Sequence, residues 1–341
     1  MPQVKIESPS GPALIHYTIS TPKDKNADKI DPSLPTIIFL HPIYVSQIIF
    51  HYQFASPEVR RFNLVALDAR LHGGTVGDVP PAYRCADAAH DIAAFMDALG
   101  LPACHFFGVS FGSITALQLG VEHPEKVLSL FLMSPIPWIE PELAADGRQE
   151  IYDCWVEGHK DPNNPDESAS LDAVFGGLEL AYNGSTASIV SAVVQYTVPR
   201  VVVLWSPENF EAFHTISVKF FVERSPCPPE KLKKITCPVN LIHCAEDIAY
   251  PMPLVEEIRD RLEEAGVDVR ISQIPDAPHF GCVTHPELTN ELFMGWMMSA
   301  IGDAVIPPAK AHAFSPYEAD LVQCGLKSQE SDSEDEFMVV P

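Results

Sequence analysis

Residues 104–123, CHFFGVSFGSITALQLGVEH, decide the fold. Their first part is a short, continuous apolar run, which predicts a buried strand of a parallel sheet. Their second part predicts a helix, which Pro124 ends. The two parts meet at Gly108-Val-Ser-Phe-Gly112, where both glycines leave room for the backbone of the central serine. The stretch therefore predicts a strand–turn–helix unit with the hydroxyl of Ser110 standing clear at the turn.

Short apolar strands alternate with helices on both sides of this unit. Strands are predicted at 13–20, 36–40, 63–68, 104–110, 127–133, 238–244 and 267–274, and helices at 85–99, 113–123, 254–266 and 286–301. The alternation predicts an α/β fold, in which helices flank both faces of a mostly parallel sheet. It breaks at Ser134-Pro135 and resumes near residue 230. We therefore predict an α/β core at 1–135 and 230–306 that is interrupted by an inserted helical cap at 136–229.

The two ends of the chain differ from this core. Residues 13–20 are expected to form a strand at the edge of the sheet. Residues 307–341 are polar, and from Gln329 onward they contain five acidic residues and no basic one. We expect this acidic tail to be disordered, because it has too little apolar surface to bury.

Composition limits the classes of partner. The chain of 341 residues has 22 Lys and Arg against 46 Asp and Glu, a formal net charge of −24. That balance argues against nucleic acid and anionic membrane surfaces, which attract basic proteins. The longest apolar stretch, 189–205, contains Gln195, Pro199 and Arg200, so we expect a buried helix or helix pair and no membrane span.

Cysteine usage and the N-terminus indicate the compartment. The eight cysteines form no C-x-x-C pair and no zinc-finger spacing, which favours reduced thiols over disulfides or a metal site. The first 25 residues have no charged start followed by an apolar run, so no secretory signal is predicted. We therefore expect a cytoplasmic location.

Ser110 needs a general base, and the base needs an acid to orient it, because serine is a weak nucleophile by itself. The turn motif sets the order along the chain as serine, then acid, then histidine. Asp247 and His279 follow in that order, each in a loop after a predicted strand. The carboxyl ends of parallel strands share one edge of a sheet, so we expect the three side chains to meet. Glu246 is an alternative acid. Taken alone, Asp247 could instead cap the next helix, and His279 could instead be a structural residue.

Backbone amides must stabilise the oxyanion that forms during attack. One candidate is the N–H of Phe111, directly after the nucleophile, and the other comes from the loop after the strand 36–40. Pro42 in that loop has no N–H, so Ile43 is the second candidate. Tyr44 beside it is predicted to contact substrate. Trp138 is the corresponding candidate from the cap, whose aromatic residues suit either an apolar pocket or the core of the cap itself.

Taken together, these motifs resemble the α/β-hydrolase fold superfamily, in the group with a helical cap. The resemblance covers about residues 13–302 outside the cap. The matching segments are His41-Pro42, Asp68-Ala-Arg-Leu-His-Gly-Gly-Thr75, Gly108-Val-Ser-Phe-Gly112, the loop Cys244–Pro251, and Pro278-His279. Where the family has glycine, this chain has Pro42, Leu71, Cys244 and Pro278.

The resemblance implies a serine hydrolase that needs no cofactor or metal. Ser110, His279 and Asp247 would form its catalytic triad, and Ile43 and Phe111 its oxyanion hole. The substrate would be a small, largely apolar ester, thioester or lactone that passes through an acyl-enzyme. Two alternatives stay open: the same triad cleaving C–C bonds or forming lactones by intramolecular acyl transfer, and a non-catalytic small-molecule binder or receptor.

Overall fold

Eight strands form one sheet in the computed structural model, which describes residues 2–161 and 163–327. They are β1 (Gln3–Ser8), β2 (Gly11–Ser20), β3 (Thr36–Leu40), β4 (Asn63–Leu67), β5 (Cys104–Val109), β6 (Val127–Met133), β7 (Val239–Cys244) and β8 (Val269–Ile274). Their order across the sheet is β1-β2-β4-β3-β5-β6-β7-β8. β2 is antiparallel to both β1 and β4, whereas every pair from β4 to β8 is parallel.

The central strands are buried along their whole length. Every residue of β3, β4 and β5 is buried, as expected for parallel strands that helices cover on both faces. The edge strand β1 buries Ile6 alone, and its polar sequence QVKIES carries no apolar run that predicts a strand. The expectation that 13–20 forms the edge is therefore wrong, because β1 pairs with β2 on its outer side.

Helices cover both faces of this sheet. They are α1 (His51–Ala55), α2 (Cys85–Leu99), α3 (Phe111–Glu122), α4 (Glu142–His159), α5 (Glu167–Tyr182), α6 (Ser188–Leu204), α7 (Phe210–His214), α8 (Phe220–Val222), α9 (Pro229–Leu232), α10 (Met252–Glu264), α11 (Gly281–Thr284), α12 (Pro286–Ala300) and α13 (Glu318–Gln323). Residues of α2, α3 and α10 pack in the apolar cluster on one face, and residues of α6, α12 and α13 pack in the cluster on the other. The α/β architecture predicted from the sequence is confirmed.

The helices α4 to α9 lie between β6 and β7 in the sequence, and part of this segment contacts the loops at the carboxyl ends of the strands. The Trp205 indole N–H donates to the carbonyl of Leu71 at 3.1 Å, in the loop after β4. The ring of Phe220 lies 4.6 Å from the ring of Phe111, the first residue of α3. This inserted segment therefore covers the end of the sheet at which Ser110 lies.

The helix α6 is the long apolar stretch of the sequence. It buries Ile189, Val190 and Val193 in the core cluster of one sheet face. No single helix in the described part of the chain is long and apolar enough to cross a membrane. Ser188–Leu204 and Pro207–Val222 reach that length and composition only as a pair, and the pair is bent by 76°.

The segment 307–327 is ordered against the core. Tyr317 is fully buried, and its hydroxyl donates to Gln47 Oε1 at 3.1 Å. Leu321, on α13, is also fully buried. The expectation of disorder is wrong for this segment, because a few apolar side chains spaced along a polar stretch are enough to anchor it. Residues 328–341, the acidic part of the predicted tail, lie outside the described residues.

Candidate active site

The turn between β5 and α3 holds Ser110 in a strained conformation. Its φ is 52° and its ψ is −111°, in a region that residues with a side chain rarely occupy. A Cβ on Gly108 would lie 2.5 Å from the carbonyl oxygen of Gly112, and a Cβ on Gly112 would lie 2.1 Å from that of Leu40. Both glycines are therefore required by close backbone contacts, which place the start of α3 directly against the end of β3.

We expect Gly112→Ala to lower the free energy of unfolding by about 3 kcal/mol or more, because the new methyl group meets a backbone carbonyl that cannot rotate away. The matched control is Gly120→Ala in the same helix. There the nearest atom to the new Cβ is Leu130 Cδ1 at 3.5 Å, an ordinary contact. Replacing a helical glycine should then stabilise by up to about 1 kcal/mol. Thermal unfolding followed by circular dichroism measures both variants, and equal melting temperatures would contradict this account of the turn.

Ser110, His279 and Asp247 form one hydrogen-bonded chain. His279 Nε2 lies 2.9 Å from Ser110 Oγ, and His279 Nδ1 lies 2.5 Å from Asp247 Oδ2. The exposed fractions of the three residues are 0%, 1% and 6%. They follow β5, β8 and β7 respectively, so the structure brings together three side chains that are far apart in the sequence. Because the site excludes water, the charges that form there during a reaction interact strongly.

Asp247 is held so that one oxygen is left for the histidine. Its Oδ1 accepts hydrogen bonds from the backbone N–H groups of Ala249 at 3.1 Å and Tyr250 at 3.0 Å. Its Oδ2 faces His279 Nδ1, and since a carboxylate only accepts, Nδ1 carries the proton. The lone pair of Nε2 is then free to accept the hydroxyl proton of Ser110. The side chain of Glu246, the alternative acid, is exposed and takes no part in the hydrogen-bonded chain.

Ser134 is a positioning residue that sequence reasoning missed. Its hydroxyl donates to the carbonyl of His279 at 2.5 Å, and its N–H donates to the carbonyl of Ile242 at 2.8 Å. It directly follows β6 and has a φ of 48°. The break in the alternation at Ser134-Pro135 marks the position, but a serine at the end of a strand does not reveal which loop it contacts.

The two candidate oxyanion amides lie in equivalent places on neighbouring strands. Leu40 of β3 pairs with Gly108 of β5 in the parallel register. Ile43 lies three residues after Leu40, and Phe111 lies three residues after Gly108. Neither amide N–H has a hydrogen-bond partner within residues 2–161 and 163–327. Two free amides at the same end of adjacent strands suit a site for a developing negative charge.

The loop that carries Ile43 is anchored by a neutral histidine, His41. His41 Nε2 accepts the backbone N–H of Ala69 at 2.9 Å. His41 Nδ1 therefore carries the proton, and it donates to the carbonyl of Pro42 at 2.7 Å. Burial lowers the pKa of His41, and it lowers the pKa of the neighbouring His72 to about 3. Both rings therefore stay neutral near pH 7 and support the loop without adding charge.

Leu71, which stands where the family that the sequence resembles has glycine, has a left-handed backbone conformation that favours glycine. Its φ is 62°, and such a conformation costs a residue with a side chain about 1–2 kcal/mol. The hydrogen bond from the Trp205 indole to its carbonyl helps to hold it there. The inserted segment thus stabilises a strained loop of the core.

A buried ion cluster lies beside this chain of residues. Glu140 Oε1 accepts from Arg148 Nε at 2.7 Å and from the Tyr250 hydroxyl at 2.6 Å, and Glu140 Oε2 accepts from Arg224 Nη2 at 2.9 Å. Burial raises the pKa of Glu140, but the two arginines lower it by more, so the carboxylate stays charged. The ring of Tyr250 lies 5.2 Å from the ring of His279. In the sequence these charges resemble ordinary surface charges, so no local signal identifies them.

Two adjoining cavities are lined mostly by residues of the inserted segment. The smaller has a volume of about 80 Å³ and an apolar wall that includes Tyr44, Trp155, Trp205 and Phe280. The larger has a volume of about 910 Å³ and is lined in part by Arg148, Ile248 and Ala249. Both are lined by Ile151, Leu178 and Val194. Ser110, Asp247 and His279 line neither cavity, but Ile248 lines the larger one and Phe280 the smaller one, so Asp247 and His279 lie directly beside cavity-lining residues.

The two predicted pocket residues have different surroundings. Tyr44 lines the smaller cavity, with a φ of 72°. Trp138 packs instead against the apolar cluster of the opposite sheet face and lines none of the described cavities. Trp138 lies in the connection between β6, which ends at Met133, and α4, and its contact with substrate stays a prediction.

Thiols and metal ligands are dispersed. All eight cysteines are unpaired. Among the residues that the structure describes, no group of three or more His, Cys, Asp or Glu side chains is arranged to hold a metal ion.

Comparison with known proteins points to one family. A family model described as alpha/beta hydrolase fold matches residues 35–200. The chain is 25% identical over 245 residues to the "Putative carbamate hydrolase RutD" of Caulobacter vibrioides, which covers 71% of this chain and 82% of that protein.

Solved structures share the architecture. A thermophilic esterase from Thermogutta terrifontis has a TM-score of 0.66 at 15% identity, covering 88% of this chain and 99% of that one. The enol-lactonase from Burkholderia xenovorans has a TM-score of 0.61 at 16% identity, covering 86% of this chain and 99% of that one. At such identities the likeness shows the fold alone.

Proposed function

We propose that this chain, which belongs to the α/β-hydrolase fold superfamily, is a serine hydrolase that cleaves a carbonyl substrate through Ser110. The observation that carries the proposal is the buried chain of hydrogen bonds from Ser110 through His279 to Asp247, at 2.9 and 2.5 Å. Distances of this kind suit a nucleophile, a general base and an orienting acid.

The first half of the proposed reaction transfers the acyl group to the enzyme. His279 Nε2 accepts the hydroxyl proton as Ser110 Oγ attacks the carbonyl carbon. Asp247 stabilises the imidazolium, and the amides of Ile43 and Phe111 donate to the oxyanion. The tetrahedral intermediate then expels the leaving group, which takes the proton from His279 Nε2, and an acyl-enzyme remains.

The second half releases the acid. Water attacks the acyl-enzyme while His279 accepts one of its protons, and that proton returns to Ser110 Oγ when the ester bond breaks. The net reaction consumes one water and yields an acid and the leaving group. The residues that hold and move protons are all side chains of this protein.

The cavities favour a small, largely apolar substrate. The smaller cavity is bounded mainly by aromatic and branched side chains, which favour an apolar body for the acyl chain. Esters, thioesters and lactones carry the required carbonyl, and the name of the Caulobacter relative adds carbamates to the series worth testing.

A fluorophosphonate probe followed by intact-mass spectrometry tests the proposal. We expect one adduct on the native protein, which peptide mapping places on the peptide with Ser110. The reagent needs an activated hydroxyl, so the other serines serve as internal controls. Absence of an adduct at a probe concentration that labels a known serine esterase would contradict the proposal and favour a non-catalytic binding role.

Formation of a lactone by intramolecular acyl transfer is a second candidate, and it has one observation in its favour. The three reacting residues are almost fully buried, and the nearest small cavity is apolar, so water competes weakly with a hydroxyl of the substrate itself. The 4-nitrophenyl ester of 6-hydroxyhexanoic acid distinguishes the two outcomes. Hydrolysis gives the hydroxy acid as the main product, whereas a lactone in excess over the uncatalysed reaction would favour acyl transfer.

A further inference from the structure

A buried arginine beside the candidate active site has an unused nitrogen. Arg148, on α4, is 1% exposed, and its guanidinium carbon lies 3.6 Å from the centre of the Phe221 ring. Its Nε donates to Glu140 and its Nη2 to Tyr250. Its Nη1 is buried and has no hydrogen-bond partner among the described residues. An unmet buried N–H is costly, so this nitrogen indicates a partner that binds from outside the chain.

A second unmet polar group lies within electrostatic reach of the first. The hydroxyl of Tyr44, in the loop directly after Ile43, is also buried without a partner among the described residues. Burial raises the pKa of Tyr44, whereas the positive charge of Arg148 and a hydrogen-bonding interaction with its guanidinium oppose that rise. The two groups therefore lie close together, although neither has a partner at full hydrogen-bond distance among the described residues. Both can donate a hydrogen bond to one acceptor.

The charge around these groups is unbalanced. Glu140 is the single carboxylate within 4.0 Å of either Arg148 or Arg224 in the part of the chain that the structure describes. Two positive charges against one negative charge leave a buried net charge of about +1. A buried charge without a counter-ion is unfavourable, so the missing partner of Arg148 should carry a negative charge.

The position of these groups fits the far end of a substrate bound at Ser110. Tyr44 lines the smaller cavity and Arg148 lines the larger one, and the two cavities share part of their walls. The hydroxyl of Tyr250 bonds to Arg148, while its ring lies 5.2 Å from the ring of His279. The Tyr250 side chain therefore lies between the arginine and the reacting histidine.

The mouth of the larger cavity limits how much negative charge enters. It is also lined by Glu150, Asp172 and Glu179, which are exposed. Their repulsion is screened over about 8 Å at physiological salt, so it weighs little on a single charge but more on a phosphate or another polyanion. The mouth and the arginine together favour a ligand with one negative charge and an otherwise apolar body.

We propose that Arg148 and Tyr44 bind a free carboxylate at the end of the acyl group opposite the reacting carbonyl. The substrate is then a monoester, thioester or lactone of a short dicarboxylic acid. The carboxylate oxygens accept from Arg148 Nη1 and from the Tyr44 hydroxyl and balance the charge of the cluster. The assignment of the reacting carbonyl rests on the proposed function, whereas the carboxylate site is defined by residues outside the triad.

Matched ester substrates test the carboxylate site. We would compare three 4-nitrophenyl esters with the same chain length: the monoester of glutaric acid, the ester of glutaramic acid and the ester of 5-methylhexanoic acid. Their acyl chains end in a carboxylate, a neutral amide and an isopropyl group of similar shape. Monoesters of succinic and adipic acid extend the series to shorter and longer chains. We expect the best carboxylate ester to exceed its isopropyl analogue in kcat/KM by about 10-fold or more, since a hydrogen bond between charged groups is strong.

Three variants test which residues produce the preference for the carboxylate ester. Arg148→Met should abolish it, mainly through a higher KM for the carboxylate ester. Tyr44→Phe removes a hydroxyl that has no partner at full hydrogen-bond distance among the described residues, so the variant should fold normally and reduce the preference by about 3-fold to 10-fold. Tyr52→Phe is the matched control, because it removes a half-buried phenol hydroxyl from α1 near Glu287 and should leave the preference unchanged.

Binding to the Ser110→Ala variant separates the two proposals. Calorimetry with monomethyl glutarate and with methyl 5-methylhexanoate needs no turnover. Two outcomes would overturn the carboxylate site and leave the hydrolase proposal intact. The first is labelling and turnover at Ser110 with equal kcat/KM for all three esters. The second is a preference for the carboxylate ester that survives Arg148→Met. Tighter binding of monomethyl glutarate that Arg148→Met abolishes would support the site, even if no ester is hydrolysed and the hydrolase proposal fails.

Discussion

Ser110→Ala abolishes turnover, with an expected fall in kcat of about a million-fold. The substitution removes the oxygen that attacks the carbonyl, and His279 then has no hydroxyl to activate. The fold should remain, because Ser110 Oγ makes one hydrogen bond to the described residues and because alanine at a φ of 52° is no more strained than serine. Steady-state ester hydrolysis and thermal unfolding measure the two effects separately.

The control for this variant is Ser113→Ala, one turn further along the same helix. The hydroxyl of Ser113 donates to the carbonyl of Ser110 at 2.6 Å. Its loss should therefore destabilise the position of Ser110 by about 1 kcal/mol and lower kcat by at most about 10-fold. If Ser110→Ala kept activity within 10-fold of the native protein while Ser113→Ala lost it, the nucleophile would be wrongly assigned.

Asp247→Asn should lower kcat by about 10,000-fold with little effect on stability. The backbone N–H groups of Ala249 and Tyr250 both donate to Oδ1, so the asparagine must keep its carbonyl oxygen on that side. Its NH₂ group then faces His279 Nδ1, which has to accept. The proton of the imidazole moves to Nε2, where it points at Ser110 Oγ and prevents the histidine from acting as a base.

Glu246→Gln is the matched control for the acid, since it makes the same chemical change at the adjacent position. The side chain of Glu246 is exposed, so kcat should stay within about 2-fold of the native value. Hydrolysis of one ester by the native protein and both variants decides the assignment. Equal losses in both variants would mean that the charge of the loop, rather than the orientation of His279, sustains activity.

Much of the core could be predicted from the sequence because its signals are local. β3 (Thr36–Leu40), α2 (Cys85–Leu99) and β6 (Val127–Met133) have the bounds that their apolar patterns predict. Strand and helix periodicity, a following glycine or proline, and a continuous apolar run all act within a few residues. The G-x-S-x-G turn is local in the same sense.

The errors arose where a segment is held by distant residues. The stretch 307–327 looks disordered by composition, but the guanidinium of Arg60 donates to the carbonyl of Phe314 at 2.9 Å, across 254 positions of the chain. Trp138 is predicted in the pocket because it is aromatic and belongs to the insertion, yet it packs against the apolar cluster that contains residues of α2, α3 and α10. Its neighbours are decided by the direction in which the chain leaves β6, and the sequence pattern does not contain that direction.

The sequence by itself determined the α/β architecture, the position of Ser110 at a strained turn and the order of the acid and histidine after it. Only the tertiary structure decided that Ser110, His279 and Asp247 share one chain of hydrogen bonds, and that Glu140, Arg148 and Arg224 form a buried cluster beside them. The physical reason is the distance along the chain over which the interactions act. Backbone hydrogen bonding and steric limits act between near neighbours in the sequence, whereas the partner of a buried charge depends on which elements the packing of the core brings together.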